Sequence, residues 1–290
     1  MKPKKASSKA ASEAVAVNRR RLLNNASPFA IKEAYVKLRT SLMFCMTADK
    51  ERACKTFAIT SSKPSEGKSL TAANVAISYA MLGKKVLLID ADMRKPTQRK
   101  LWKVELAAGL CDFLAKIWKL EIAKVQDLPL WIVCTGTIPP NPSELLASDR
   151  MKGFVSECAR VYDYVIIDTP PINTVADAQI VATYVDGVVL VTKSGYTTSD
   201  ELNAAIEAVH QAGGNLCGVV LNGLNMKSVK YSYKYKYSDK YGYKYGYRYG
   251  DKYAYRCICV QRPGRKNTEA ESKSWLCHSD SSGVSDLCYL

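Results

Sequence analysis

Apolar residues fall along this chain in short continuous runs, and longer stretches of helical period lie between them. The runs are "KTFAITS", "KKVLLIDAD", "LWIVCTG", "YDYVIIDTPP", "DGVVLVTKSG" and "NLCGVVLNGL", each of strand length and most rich in Val and Ile. The spacing predicts a helix from Pro28 to Phe44, with Ser27 as N-cap and Pro28 in the first turn. "KSLTAANVAISYAMLG" reads as a second helix closed by Gly83, and "SELLASDRMKGFVSECARVY" and "TSDELNAAIEAVHQAG" as further helical segments. Strands that are apolar throughout, rather than at alternate positions, need cover on both faces. The pattern therefore predicts an α/β fold, a doubly wound and mostly parallel sheet whose ligand sits at the carboxyl ends of the strands.

The periodicity stops after Asn225. From residue 230 to 256 there is no Leu, Ile, Val or Phe, and eleven of the 25 positions in 231–255 are tyrosine. Such a segment cannot build a core, so a disordered tyrosine-rich tail is expected. Four regions follow: a basic flank over 1–27, a globular domain over 28–228, the tyrosine tail over 229–256, and a polar extension over 257–290 to which the residues assign no role.

Charge sharpens this division. The net charge is +15, yet residues 31–225 hold 22 basic against 20 acidic groups. Residues 1–30 carry seven Lys/Arg and one Glu, and 226–256 carry nine against two Asp. A nearly neutral domain with two cationic flanks suits contact with an anionic surface, a membrane leaflet or nucleic acid, and suits equally a solvated tail. The basic N-terminus is not followed by the apolar stretch of a signal peptide, and no run is long enough to span a bilayer. A cytoplasmic protein is expected. Ten cysteines occur without a C-x-x-C pair, which speaks against zinc. Cys45, Cys54, Cys111, Cys134, Cys158 and Cys217 lie in apolar segments and read as reduced core thiols.

The sharpest chemical signal is "SSKPSEGKS", residues 61–69, between a strand and a helix. Backbone N–H groups of such a loop cradle phosphates, Lys68 reaches the β/γ-phosphates and the Ser69 hydroxyl reaches Mg²⁺. Pro64, Ser65, Glu66, Gly67 and Leu70 complete the expected nucleotide contacts; Ser62 replaces the first glycine of the usual motif. "VLLIDADMRKP" ends a strand with Asp90 and Asp92, and "YVIIDTPP" ends another with Asp168. In a parallel sheet these ends share the edge of the phosphate loop, so hard oxygen ligands converge on one Mg-nucleotide. The fold class is P-loop NTPase-like.

With "PSEGKS", "LLIDADMR", "VIIDTPP", "PPNPSELL" at 139–146 and the tyrosine cluster together, residues 28–256 resemble the bacterial tyrosine autokinases of capsule and exopolysaccharide synthesis. They resemble the form in which the cytoplasmic kinase is a separate polypeptide. The resemblance implies an ATP- and Mg²⁺-dependent kinase whose subunits phosphorylate one another's tails. The acceptors would be Tyr231, Tyr233, Tyr235, Tyr237, Tyr241, Tyr243, Tyr245, Tyr247, Tyr249, Tyr253 and Tyr255. By position Lys68 and Ser69 hold phosphate and metal, Asp90 and Asp168 serve the metal, Asp92 helps activate the phenol, and Asn222 lies on the adenine side or forms a turn. Arg94 has two roles open to it, charge at the transferring phosphate or pairing with a carboxylate. The family's E-x-x-R-x-x-R ring motif is met at Glu33 and Arg39, whereas Val36 stands in place of the first arginine. Ser65 replaces a glycine, which strains the loop if that position needs positive φ. The resemblance further implies a homo-oligomeric ring, a transmembrane activator (a polysaccharide co-polymerase) that places the kinase at the inner face of the membrane, and a cognate tyrosine phosphatase.

Two other classes compete. Lys63 occupies the signature-lysine position of ParA/MinD-like partitioning ATPases, although Pro64 and Ser65 replace that group's glycines. A nucleic-acid-binding protein would use the Tyr/Lys tail for stacking and phosphate contact, but the near-neutral domain offers no basic face in sequence, and no nucleic acid is expected.

Overall fold

A computed structural model describes residues 17–45 and 55–224 and the backbone of 258–260. Residues 1–16 and 231–255, with all eleven candidate acceptor tyrosines, lie outside the described residues, as do Cys54, Cys257, Cys277, Cys288 and the side chain of Cys259.

Six strands follow the apolar runs: β1 Lys55–Ser61, β2 Val86–Asp90, β4 Leu130–Val133, β5 Tyr164–Asp168, β6 Gly187–Lys193 and β7 Leu216–Asn222. They pair in parallel in the order β4-β2-β5-β1-β6-β7. Two short antiparallel strands that the pattern does not reveal close the edges, β3 (Ala123–Lys124) on β4 and β8 (Ile258–Val260) on β7. The second belongs to the extension for which the residues gave no role. Three residues carry too little periodicity to read, and an edge strand forms because the neighbouring strand offers an unpaired ladder.

The sheet separates two cores. Phe57, Ile59, Val86, Leu88 and Ile166 face one side with helices α1 (Phe29–Cys45) and α2 (Lys68–Ala80). Ala58, Leu87, Ile89, Val165 and Ile167 face the other with α5 (Pro142–Ala147), α6 (Asp149–Val161), α7 (Asp177–Ala182) and α8 (Ser199–Gln211). Strand neighbours alternate between faces, and both faces are covered, so the strands read as unbroken apolar runs. Two one-turn helices, α3 (Gln98–Trp102) and α4 (Leu110–Leu114), fill the β2–β3 connection.

Helix α2 is buried at every position except Leu70, because α1 lies over its outer side. Its alanines at 72, 73, 76 and 80 permit this close approach. Two details differ from the sequence reading. Ser27 Oγ accepts from the Asn24 N–H (3.0 Å) instead of capping α1. The segment "SELLASDRMKGFVSECARVY" is two helices, since Ser148 is extended (ψ 147°) and its hydroxyl accepts from Met151 N at the start of α6. A serine between two helical turns serves better as a cap than as an interior residue.

Candidate active site

The phosphate loop leaves β1 at Ser61 and enters α2 at Lys68. Its sharp turn uses two left-handed residues, Ser65 (φ 69°) and Gly67 (φ 93°). The strain expected at Ser65 is therefore present. Gly67 is favoured for a second reason: a Cβ there would collide with Asn222 Nδ2 and force that side chain to move. Asn222 ends β7 and donates that nitrogen to the Glu66 carbonyl (2.8 Å), so it braces the loop from the sheet. Cys45, Cys111, Cys134, Cys158 and Cys217 are thiols within the fold.

Glu66 lends the loop its backbone only, because its side chain points the other way. Its side chain is fully buried, turned from the cavity, and accepts from Ser62 Oγ (2.9 and 3.0 Å), Lys63 N (2.9 Å) and the Thr197 hydroxyl. It holds the loop from behind, and Ser62, the residue in place of the first glycine, is one of its donors. Pro64, Ser65, Gly67, Lys68, Ser69, Leu70 and Asn222 line a cavity of about 590 Å³, as do Asp92 and Arg94.

Asp90 and Asp168 sit directly opposite each other at the ends of β2 and β5, both fully buried. Asp90 Oδ2 accepts from Thr97 N (3.0 Å) and Gln98 N (2.8 Å); Asp168 Oδ2 accepts from Gln98 Nε2 (2.8 Å). The other oxygen of each, Oδ1, makes no hydrogen bond. Lys68 Nζ stands 2.7 Å from Asp92 Oδ2, 3.7 Å from Asp168 Oδ1 and 3.2 Å from Ser69 Oγ. Burial and then the neighbouring Asp168 push the Asp90 carboxyl up to about 8. Burial likewise raises Asp168, against the pull of Lys68 and the Gln98 amide. Burial alone would lower Lys68; Asp168 and Asp92 outweigh it and hold the ammonium charged.

Two buried carboxylate oxygens that accept no hydrogen bond, together with the Ser69 hydroxyl at the start of α2, fit a hard dication. Among the described residues no three His, Cys, Asp or Glu side chains close a cage around one. An open set of this kind suits Mg²⁺, which keeps waters and takes phosphate oxygens.

Arg94 pairs with a carboxylate. Its Nε and an Nη donate to fully buried Asp177 (2.8 and 3.1 Å), and Ser143 of the "PPNPSELL" segment donates to the same carboxylate (2.6 Å). This explains the segment: it fixes α5 and α7 to the loop after β2. Arg39, expected at an assembly surface, donates to the carbonyl (2.6 Å) and hydroxyl (3.2 Å) of Ser78 on α2 of its own chain. Glu33 is half-buried on α1. Lys63 donates to Glu201 (2.7 and 2.8 Å) and stands 4.2 Å from the ring centre of Tyr196. Sequence reasoning missed Gln98, Thr197 and Asp177. The first has a signal after the fact, Gln and Trp four residues apart on one turn of α3.

Residues 54–215 match the AAA domain family. The chain is 44% identical over 204 residues to "Tyrosine-protein kinase YwqD" of Bacillus subtilis, covering 69% of this chain and 85% of that protein. It belongs to the bacterial tyrosine-protein kinases. A second member of this family, "Putative tyrosine-protein kinase CapB" of Staphylococcus aureus, is 38% identical over 70% of this chain and 89% of its own length. The solved kinase domain of Escherichia coli tyrosine kinase ETK superposes with a TM-score of 0.65 at 34% identity, covering 75% of this chain and 80% of that one. A MinC:MinD complex from Aquifex aeolicus matches at 24% identity with a TM-score of 0.52 and shares the fold. This protein is thus a nucleotide-binding protein-tyrosine kinase. Among the described residues no helix is long and apolar enough to cross a membrane.

Proposed function

We propose that the chain is an ATP- and Mg²⁺-dependent autokinase that phosphorylates the tyrosines of 229–256 on neighbouring subunits, and that it thereby regulates capsular or exopolysaccharide synthesis. The observation that carries this is that Asp90 and Asp168, directly opposite each other at the strand ends, each keep one buried oxygen free of hydrogen bonds, that of Asp168 lying 3.7 Å from Lys68 Nζ, which is 3.2 Å from Ser69 Oγ. A second support is connectivity: β7 ends at Asn222 against the phosphate loop, and Tyr231 follows only nine residues later in the sequence.

Mg²⁺, held by Ser69, Asp90 and Asp168, would neutralise charge on the phosphates. Gly67 and the amides at the start of α2 orient the phosphate chain. Lys68 would exchange Asp92 for a phosphate oxygen when nucleotide arrives, because the multiply charged phosphate competes with the single carboxylate for the ammonium. That exchange frees Asp92 Oδ2 to accept the proton of the incoming phenol, whose ordinary pKa of about 10 leaves it protonated at cellular pH. Positioning and charge neutralisation supply most of the catalysis.

A ring of subunits, a membrane-spanning activator that seats the kinase at the inner membrane face and an opposing phosphatase belong to the same reading. The partitioning-ATPase alternative rests on Lys63 standing at that group's signature-lysine position. Here Lys63 is committed to Glu201 of its own chain.

The test is to incubate the purified chain with ATP and Mg²⁺, together with a mass-tagged Lys68→Met copy, and to map phosphotyrosine. Phosphate on residues 231–255 of the inactive copy is expected. Release of free phosphate with an unmodified tail would overturn the proposal in favour of a switch ATPase.

A further inference from the structure

Gln98 is fully buried, yet nothing in its motif position marks it as part of the site. It uses its hydrogen-bonding capacity on three elements at once. The side-chain Nε2 donates to Asp168 Oδ2 (2.8 Å) at the end of β5 and to the Ser69 carbonyl (3.0 Å) in the first turn of α2. The backbone N–H donates to Asp90 Oδ2 (2.8 Å) at the end of β2. The remaining acceptor, Oε1, takes the indole N–H of Trp102 (3.0 Å), four residues on and one turn away.

An amide has two donors on one end and an acceptor on the other. Reversed, Gln98 would turn its oxygen toward a carboxylate and a carbonyl and its NH₂ toward an indole N–H. Every contact would then be repulsive or empty. Trp102, which can only donate, therefore selects one orientation of the Gln98 amide. In that orientation Asp168 Oδ2 is occupied and Oδ1 is left open, just as the backbone donors of Thr97 and Gln98 occupy Oδ2 of Asp90 and leave its Oδ1 open. Asp168 Oδ1 is the oxygen 3.7 Å from Lys68 Nζ, and Asp90, directly opposite on β2, keeps its own Oδ1 free of hydrogen bonds.

We infer that Gln98, oriented by Trp102, is a positioning residue that fixes the spacing of Ser69, Asp90 and Asp168 and reserves one oxygen of each carboxylate for the divalent cation. The inference deepens the proposed function and rests on its assignment of the cation site. Gln98 touches neither nucleotide phosphate nor tyrosine in this role; it acts through the three groups it holds.

The experiment measures Mn²⁺ binding to the full chain with a non-hydrolysable ATP analogue, by the loss of the free-Mn²⁺ electron paramagnetic resonance signal, for wild type, Gln98→Ala and Trp102→Phe. Nucleotide binding in EDTA and the Mg²⁺ dependence of tail phosphorylation are followed in parallel. Gln98→Ala is expected to weaken Mn²⁺ about tenfold or more, leave metal-free nucleotide affinity within about twofold, and recover most of kcat at high Mg²⁺. Trp102→Phe keeps the ring packing and loses only the orienting N–H, so a smaller weakening of about threefold is expected even if Gln98→Ala folds poorly. Wild-type Mn²⁺ affinity in Trp102→Phe and in a folded Gln98→Ala would overturn the inference, as would a kcat loss that saturating Mg²⁺ does not restore. A wild-type chain that binds the analogue but no Mn²⁺ would instead remove the cation assignment itself, and the inference with it.

Discussion

Single residues in this protein do more than their motif positions announce. Ser65 holds a left-handed conformation that costs a side-chain-bearing residue about 1–2 kcal/mol, while glycine loses more chain entropy on folding. Ser65→Gly is therefore expected to stabilise the protein by about 1 kcal/mol or less, read as a rise in melting midpoint. Gly67→Ala is expected to do the reverse and to weaken ATP binding, because its new methyl displaces Asn222. Asp90 titrates near 8, so in the metal-free protein the buried carboxylate pair holds a proton at neutral pH that a cation must displace. The affinity for Mg-nucleotide should rise with pH toward about 8, with proton release that calorimetry in buffers of different ionisation heat would detect. Stability follows the opposite sign. A carboxyl with a raised folded pKa contributes most below its unfolded value and loses that contribution as pH rises through about 8, so the metal-free melting midpoint should fall across this interval.

Secondary elements are joined at the site by polar ties that link segments distant in sequence. Arg94, Ser143 and Asp177 connect the loop after β2 to α5 and α7. Arg94→Ala would leave Asp177 buried with Ser143 as its remaining donor, a loss of about 1–3 kcal/mol. Arg94→Ala combined with Asp177→Ala should cost less than the sum of the single changes; additivity in denaturant melts would show the pair to be uncoupled. Thr197 and Ser62 grip the Glu66 carboxylate from two sides. Glu66→Gln keeps the shape but puts an NH₂ against donors, so KM for ATP should rise severalfold while the tail is still modified at saturating nucleotide. Much of this level was visible in the order of residues: six strands, the helix at α1, α2 and α8 all carry their period openly. The break at Ser148 and strands β3 and β8 were not, since a single capping hydroxyl or a two- or three-residue strand leaves no period to detect.

At the scale of the whole molecule, charge is distributed so that residues 31–225 are nearly neutral and residues 226–256 carry nine basic residues against two acidic. Each phosphate adds about −1.5 to −2 at neutral pH, so about four modified tyrosines cancel the segment's charge and more reverse it. Assembly of unmodified subunits should weaken stepwise with phosphate number and, in the unmodified state, with added salt; sedimentation of chains with defined phosphate content measures both. The sequence by itself determined the sheet, its nucleotide edge and the identity of Lys68, Ser69, Asp90, Asp92 and Asp168 as one site, because apolar period and loop chemistry are local properties written in neighbouring residues. Only the tertiary structure decided that Glu66 is a brace, that Arg94 belongs to Asp177, that Lys63 and Arg39 bond within their own chain, and that Gln98 ties Ser69, Asp90 and Asp168 together. Those roles depend on which atoms meet across separate elements, and pairing at a distance is set by packing rather than by spacing along the chain.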